Sequence, residues 1–102
     1  MMDNKKDKER RETNEIFIGS KPFMKYVIAT IMQLEKNGSA IIKARGKFIS
    51  RGVDVAEVVK KRVKEKDGTD LSQGIIIGTD AFKNEEEKQI NVSTIDISLN
   101  RN

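Results

Sequence analysis

The sequence predicts an α/β protein, a two-layer α+β sandwich in which two helices cover one face of a mixed four-stranded sheet. Three observations predict it: two runs with helical apolar spacing, four β-rich runs, and their order β-α-β-α-β-β. A chain of 102 residues with 36% hydrophobic residues suits one core. We expect a disordered N-terminal tail over residues 1–13, where charges of both signs mix without an apolar period, and a single domain over residues 14–102.

The first predicted helix directly follows the first strand. The strand is the β-rich run Ile16–Ile18, which ends at Gly19. Ser20 is a candidate N-cap, and Pro22 suits the first helical turn, where a missing N–H costs nothing. The helix is expected to end at Asn37-Gly38, since glycine readily adopts the left-handed conformation that follows helices. Apolar residues at helical spacing define its inner face: Phe23, Met24, Val27, Ile28, Ile31 and Leu34.

A second strand and a second helix are predicted in the middle of the chain. Ala40–Ala44 forms the strand, which Arg45-Gly46-Lys47 closes. The helix is expected to begin at about residue 48 or 50 and to end at Lys64. Its inner face carries Ile49, Val53, Ala56, Val58 or Val59, and Val63.

The last third of the chain predicts two strands joined by a charged tip. Ile75–Ile77 begins the first of these strands, which can extend to Phe82. The second spans residues 90–99, where apolar and polar side chains mostly alternate. The tip, residues 83–89, contains Glu85, Glu86 and Glu87.

Positive charge is concentrated in the first half of the chain, although the formal net charge is only +4. Residues 16–53 carry seven basic side chains and a single acidic one, Glu35. Residues 67–102 carry three basic and seven acidic side chains. A polyanionic partner is therefore expected to contact the first half and to be repelled by the last third.

Two basic loops are predicted to meet at one edge of the sheet. A strand–helix–strand crossover makes its strands parallel, so the loops after both strands leave from the same edge. Each loop combines a glycine with basic side chains beside a helix N-terminus, where free N–H groups and the helix dipole favour phosphate. The candidate phosphate-binding residues are Lys21, Arg45 and Lys47 in the loops, with Lys43 and Arg51 beside them.

The composition excludes several kinds of function. The chain has no Cys and no His, which excludes disulfides, thiol nucleophiles, Cys/His zinc sites and an imidazole general base. We therefore expect no enzymatic activity, no cofactor, no metal and no small-molecule substrate. No apolar run approaches the ~20 residues of a membrane span, which indicates a soluble intracellular protein without a membrane partner. Of the aromatic residues, Phe17 and Phe23 are expected in the core and Phe48 beside a basic loop.

Three segments of the chain resemble the Alba family of archaeal chromatin proteins: IFIGSKPFMKYVIATIMQL, IIKARGKFISRGVDVAEVVKKR and VSTIDISL. The resemblance implies the fold predicted above and a homodimer that binds double-stranded DNA with little sequence preference, with RNA as a ligand of many members. It also implies a cytoplasmic protein associated with the chromosome, in the nucleoid. The family places its basic loop residues against the nucleic-acid backbone, which nominates Lys21, Lys43, Arg45 and Lys47.

Three positions depart from the family pattern. Ser20 stands where many members have the first of two lysines, a site of acetylation. The hairpin arms of the family reach toward the minor groove with a basic or neutral tip, whereas residues 85–87 are all glutamate. Val63 stands where the family often has a phenylalanine at a contact between dimers, which implies weaker cooperative coating of DNA.

The sequence leaves three functions open. The first is sequence-nonspecific binding of duplex DNA by an architectural protein, because phosphate contacts need no base readout. The second is RNA binding by a chaperone or a ribonucleoprotein subunit, which the acidic tip favours by weakening entry into a DNA groove. The third is a protein-interaction module whose basic edge meets an acidic partner.

Overall fold

The computed structural model describes residues 13–101, and residues 1–12 of the expected tail lie outside the described part. The elements are β1 (Glu15–Phe17), α1 (Phe23–Asn37), β2 (Ser39–Arg45), a 3-10 turn (Gly46–Phe48), α2 (Ile49–Asp67), β3 (Ser72–Lys83) and β4 (Gln89–Asn100). Within these residues, neither helix combines the length and the apolar composition needed to cross a membrane.

One mixed sheet and two helices make up the described fold, and the α/β class with its β-α-β-α-β-β order is confirmed. The strands lie in the order β1-β2-β4-β3. β1 pairs with β2 in parallel, whereas β4 is antiparallel to both β2 and β3. Residues of β2 alternate between buried positions under the helices, Ala40, Ile42 and Ala44, and positions on the opposite face of the sheet. We call that opposite surface the open face.

The core lies between the helices and the three strands β1, β2 and β4. Leu34 of α1, Val55 and Val59 of α2, and Ile42 and Leu99 of the sheet are fully buried. Burying such aliphatic side chains contributes about 1.5–3 kcal/mol each. α2 approaches β2 closely, because a Cβ atom at Gly52 would lie only 3.0 Å from the Cβ of Ala44. This approach fixes the start of α2, and with it Arg51, over the carboxyl end of β2.

Each helix ends directly before a glycine, but the predicted N-cap of α1 and the predicted last residue of α2 are wrong. Gly38 adopts a φ of 79° and its N–H donates to the carbonyl of Leu34, which confirms the predicted end of α1. Ser20 does not cap α1, because the N-cap position is Pro22 and no side chain bonds there. α2 continues past Lys64 to Asp67, and Gly68 with a φ of 77° ends it. The three added residues are polar, so apolar spacing carried no signal for them, whereas the next glycine did.

Several apolar side chains expected in the core are exposed. Phe17 is 67% exposed, because its strand position directs it to the open face. Met24, Ile28 and Val53 also lie on the surface, since their helices carry more apolar positions than the core-facing stripe uses. β3 begins at Ser72, earlier than Ile75, and all twelve of its residues are exposed. The helices therefore leave this edge strand uncovered.

Candidate nucleic-acid interface

The two basic loops meet at the same edge of the sheet, as the crossover predicts. Phe17 pairs with Lys43 across the parallel strands, so the chain leaves both β1 and β2 in the same direction. The guanidinium Nη2 of Arg51, in the first turn of α2, donates to the backbone carbonyl of Lys21 over 2.7 Å. This hydrogen bond ties the β1–α1 loop to the start of α2 and holds the basic residues of both loops in one region.

Tyr26 orders the first loop from inside the molecule. Its side chain is 7% exposed, and its hydroxyl oxygen accepts hydrogen bonds from the backbone N–H groups of Gly19 and Lys21, each 2.9 Å long. These two N–H groups are therefore already bonded within the molecule, whereas the free N–H groups expected to favour phosphate were those of the helix N-terminus. The Lys21 side chain itself is exposed. This contact was not predicted from the sequence. A tyrosine near the apolar face of a helix could have indicated it, because a buried hydroxyl group needs a hydrogen-bond partner.

Arg51 lies against two aromatic rings rather than in open solvent. Its guanidinium carbon is 5.8 Å from the Phe23 ring centroid and 5.9 Å from the Tyr26 ring centroid. Its Nε atom is buried without a hydrogen-bond partner, while Nη2 is bonded to Lys21. The sequence pattern predicts phosphate binding by Arg51, and the structure places this side chain where it also supports the first loop.

Lys43 and Arg45 point to the open face, where carboxylates surround them. The Nζ of Lys43 lies 3.4 Å from Asp96 and 3.6 Å from Glu15. Partial burial alone would lower the pKa of Lys43, but the two carboxylates outweigh that effect and raise this pKa above its ordinary value. Nη1 of Arg45 lies 3.4 Å from Asp80, with both side chains more than half exposed. Lys43 therefore remains charged but locally neutralised.

The side chains of Lys21 and Lys47 differ from those of the other nominated cations in their lack of ion pairs or buried contacts among residues 13–101. Within residues 13–101, neither forms an ion pair with a carboxylate. The Nζ of Lys47 lies 5.4 Å from the centroid of the Phe48 ring, beside the second loop as the sequence analysis expected for Phe48. The five nominated residues therefore fall into three groups. Lys21 and Lys47 have no carboxylate partner among the described residues, and Arg45 has one exposed partner. Lys43 and Arg51 are more constrained by their contacts.

The described residues contain no constellation suited to a metal ion. No group of three or more Asp and Glu side chains in residues 13–101 is arranged to hold one. The two loops carry long cationic side chains, which can form charge-assisted hydrogen bonds with phosphate groups.

The Tyr26 contact predicts a loss of stability when only its hydroxyl is removed. In Tyr26→Phe the ring still fills its site, but two loop N–H groups are left without their acceptor. We expect a decrease of about 1–3 kcal/mol in the free energy of unfolding. Urea denaturation monitored by circular dichroism measures it, and Phe48→Leu serves as a control at a half-buried ring. A Tyr26→Phe protein as stable as the parent would show that the hydroxyl does not order the loop.

Comparison with known proteins confirms the resemblance. The Alba family model matches residues 14–73. The DNA/RNA-binding protein Alba of Nitrosopumilus maritimus is 43% identical over 94 residues, covering 92% of this chain and 95% of that protein. That of Methanocella arvoryzae is 44% identical over 91 residues, covering 88% and 92%. The solved structure of Alba from Thermoplasma volcanium matches with a TM-score of 0.72 and 42% identity, covering 86% of this chain and 100% of that one. The chain belongs to the Alba family.

Proposed function

We propose that this protein binds double-stranded DNA without sequence preference, as a dimeric architectural protein of chromatin that contacts the phosphate backbone through its basic loops. The observation that carries the proposal is the hydrogen bond from Arg51 to Lys21, which ties the first basic loop to the start of α2, directly after the second basic loop. The names of the relatives from Nitrosopumilus and Methanocella, DNA/RNA-binding protein Alba, support it. On this proposal the protein is cytoplasmic and associated with the nucleoid.

The roles of the five nominated residues differ. Lys21 and Lys47 contact phosphates directly, and Arg45 joins them by exchanging its exposed ion pair with Asp80 for a phosphate. Such exposed pairs contribute at most about 1 kcal/mol, so the exchange is inexpensive. Lys43 and Arg51 contribute positive potential from beside the loops. Contacts of this kind position the protein on the duplex but read no base, which accounts for binding without sequence preference.

The uncovered strand β3 supports a homodimer. Ile75, Ile76 and Ile77 are 54%, 70% and 75% exposed in the single chain. A long apolar edge strand favours pairing with another chain, and a second copy would bury these side chains. A dimer also brings two loop pairs to one duplex, so roughly six phosphates can be neutralised. Val63, by contrast, is buried in the core and offers no side chain to a contact between dimers.

RNA binding is the second candidate, and the hairpin tip favours it. Glu85, Glu86 and Glu87 are all exposed at the end of the hairpin. Three carboxylates there repel the phosphates that line a DNA groove, whereas loop contacts to an RNA backbone leave the tip free. The same loop residues serve both ligands. We expect no enzymatic activity in either case, since the chain lacks His and Cys, and the described residues contain no group of carboxylates that could hold a metal ion.

The loop proposal predicts a change in the salt dependence of binding. For Lys21→Ala/Arg45→Ala/Lys47→Ala, the slope of log affinity against log salt is expected to fall by roughly 0.9 for each phosphate that the variant no longer neutralises. Fluorescence anisotropy with duplex DNA and duplex RNA of equal length measures both slopes, and the ratio of the two affinities identifies the preferred duplex.

A matched control removes equal charge from the far ends of the helices. Lys36→Ala/Lys61→Ala/Arg62→Ala also deletes two lysines and one arginine, all of them exposed. This variant is expected to keep a slope close to that of the parent. Equal slopes for both triple variants would reject the loop site, and a parent protein that binds neither duplex would leave the protein-interaction module as the better interpretation.

The dimer proposal predicts that a charge on β3 separates the subunits. Ile77→Asp would bury a carboxylate in the proposed interface, so the variant is expected to sediment as a monomer where the parent sediments as a dimer. Met32→Asp places the same charge on α1 at a side chain of similar exposure, 61%, and is expected to leave the dimer intact. Sedimentation equilibrium distinguishes the two, and a monomeric parent would contradict the dimer.

A further inference from the structure

We propose that the open face of the sheet carries a binding site for one unpaired nucleobase, which stacks on the ring of Phe17 beside Lys43 and Arg45. The inference rests on the proposed nucleic-acid binding and adds a ligand class to it: a single-stranded segment, or an unpaired nucleotide within a longer chain. The site lies next to the phosphate-binding loops but uses different chemistry.

Phe17 is placed as a stacking platform rather than as a core residue. Its side chain is 67% exposed at the last position of β1, immediately before the first basic loop. The register sets it beside Lys43 on β2, and Lys43 in turn beside Asp96 on β4. An exposed aromatic ring on a sheet, flanked by cations, matches the way proteins hold single-stranded bases, since every base has a face that can stack.

A concave pocket adjoins this ring. Its volume is about 380 Å³, within the range of small-molecule sites. The residues that line it come from all four strands and the loop start: Phe17, Ile18, Lys43, Ala44, Arg45, Asp80, Thr94 and Asp96. β1 and β3 lie at opposite edges of the sheet, so the strand that carries Phe17 is separate from the exposed strand at which the dimer is proposed.

The charges of the pocket favour a base over a phosphate. Asp96 and Glu15 lie 3.4 Å and 3.6 Å from Lys43, and Asp80 remains in the pocket when Arg45 turns toward a phosphate. Those carboxylates repel a phosphate, but they accept hydrogen bonds from the amino and imino groups of a base. The Lys43 ammonium donates to carbonyl and ring-nitrogen acceptors. The pocket therefore presents both kinds of partner that a base edge requires.

The position of the pocket connects it to the backbone site. Arg45 lines the pocket and also belongs to the second basic loop. A strand whose phosphates contact Lys21 and Lys47 therefore passes the mouth of the pocket and can turn one base into it. Bases of an intact duplex are stacked and paired, so they cannot reach Phe17 without being extruded at a cost of a few kcal/mol.

The test compares single strands with duplexes in the parent protein and two variants. Phe17→Ala removes the stacking surface, and its affinity for single-stranded DNA or RNA is expected to fall by roughly 5- to 150-fold, whereas its duplex affinity stays unchanged. Met32→Ala removes a comparably exposed side chain from α1 and is expected to change neither affinity. Separate titrations with oligothymidylate and oligouridylate determine whether DNA or RNA is the better source of the base.

A further variant reports on stacking itself. The chain contains no Trp, so Phe17→Trp introduces a single indole at the site. Its fluorescence is expected to be quenched by single strands and to be little changed by duplexes, with single-strand affinity kept or increased.

The outcomes separate this inference from the proposed function. An equal decrease of single-strand and duplex affinity in Phe17→Ala, or no decrease of either, would overturn the base site while the loop site stands. Unquenched fluorescence of Phe17→Trp at saturating single strand would also overturn it. Failure of the parent protein to bind any nucleic acid would overturn the proposed function, and the base site with it.

Discussion

The parallel pairing of β1 with β2 is the constraint on which the rest of the molecule depends. A parallel pair requires a crossover, and here the crossover is α1, so the loops that follow both strands emerge at one edge. The buried aliphatic residues of α1, α2 and the sheet hold that arrangement, and the close approach at Gly52 fixes the start of α2 above β2. The basic residues of two distant segments become neighbours for this reason alone.

Some polar side chains at the loops bond to the backbone and order it, whereas others are exposed to solvent. Tyr26 and Arg51 satisfy the backbone of the first loop from below, through bonds to Gly19 and Lys21. Lys21 is consequently presented on ordered backbone, so less conformational freedom would be lost on binding the phosphate that we propose for it. On the open face, Lys43 lies beside Asp96 and Glu15, and we propose that the pocket there takes a base, while Arg45 at its rim contacts a phosphate. On the two proposals made above, different surfaces of one small sheet bind different parts of a nucleotide chain.

Periodicity and glycine signals were sufficient to predict the order of the elements, the end of α1 at Gly38 and the convergence of the loops, because each follows from local conformation or from the handedness of crossovers. The remaining features depend on tertiary contacts that a linear pattern does not encode. Phe17 was expected inside, yet strand register places it on the open face. The apolar run in β3 was recognised as a strand, but not as one that the helices leave uncovered. The ion pair of Lys43 with Asp96 joins strands far apart in sequence.

The most direct test of the account is a nuclear magnetic resonance titration of the ¹⁵N-labelled protein with a short DNA duplex. If the two loops form one phosphate-binding surface, the backbone amides of residues 19–21 and 45–47 will shift together, with a common midpoint, while those of Lys61 and Arg62 stay in place. Shifts confined to one loop, or centred on the hairpin tip or the far ends of the helices, would contradict the claim that the parallel strand pair builds a single binding site.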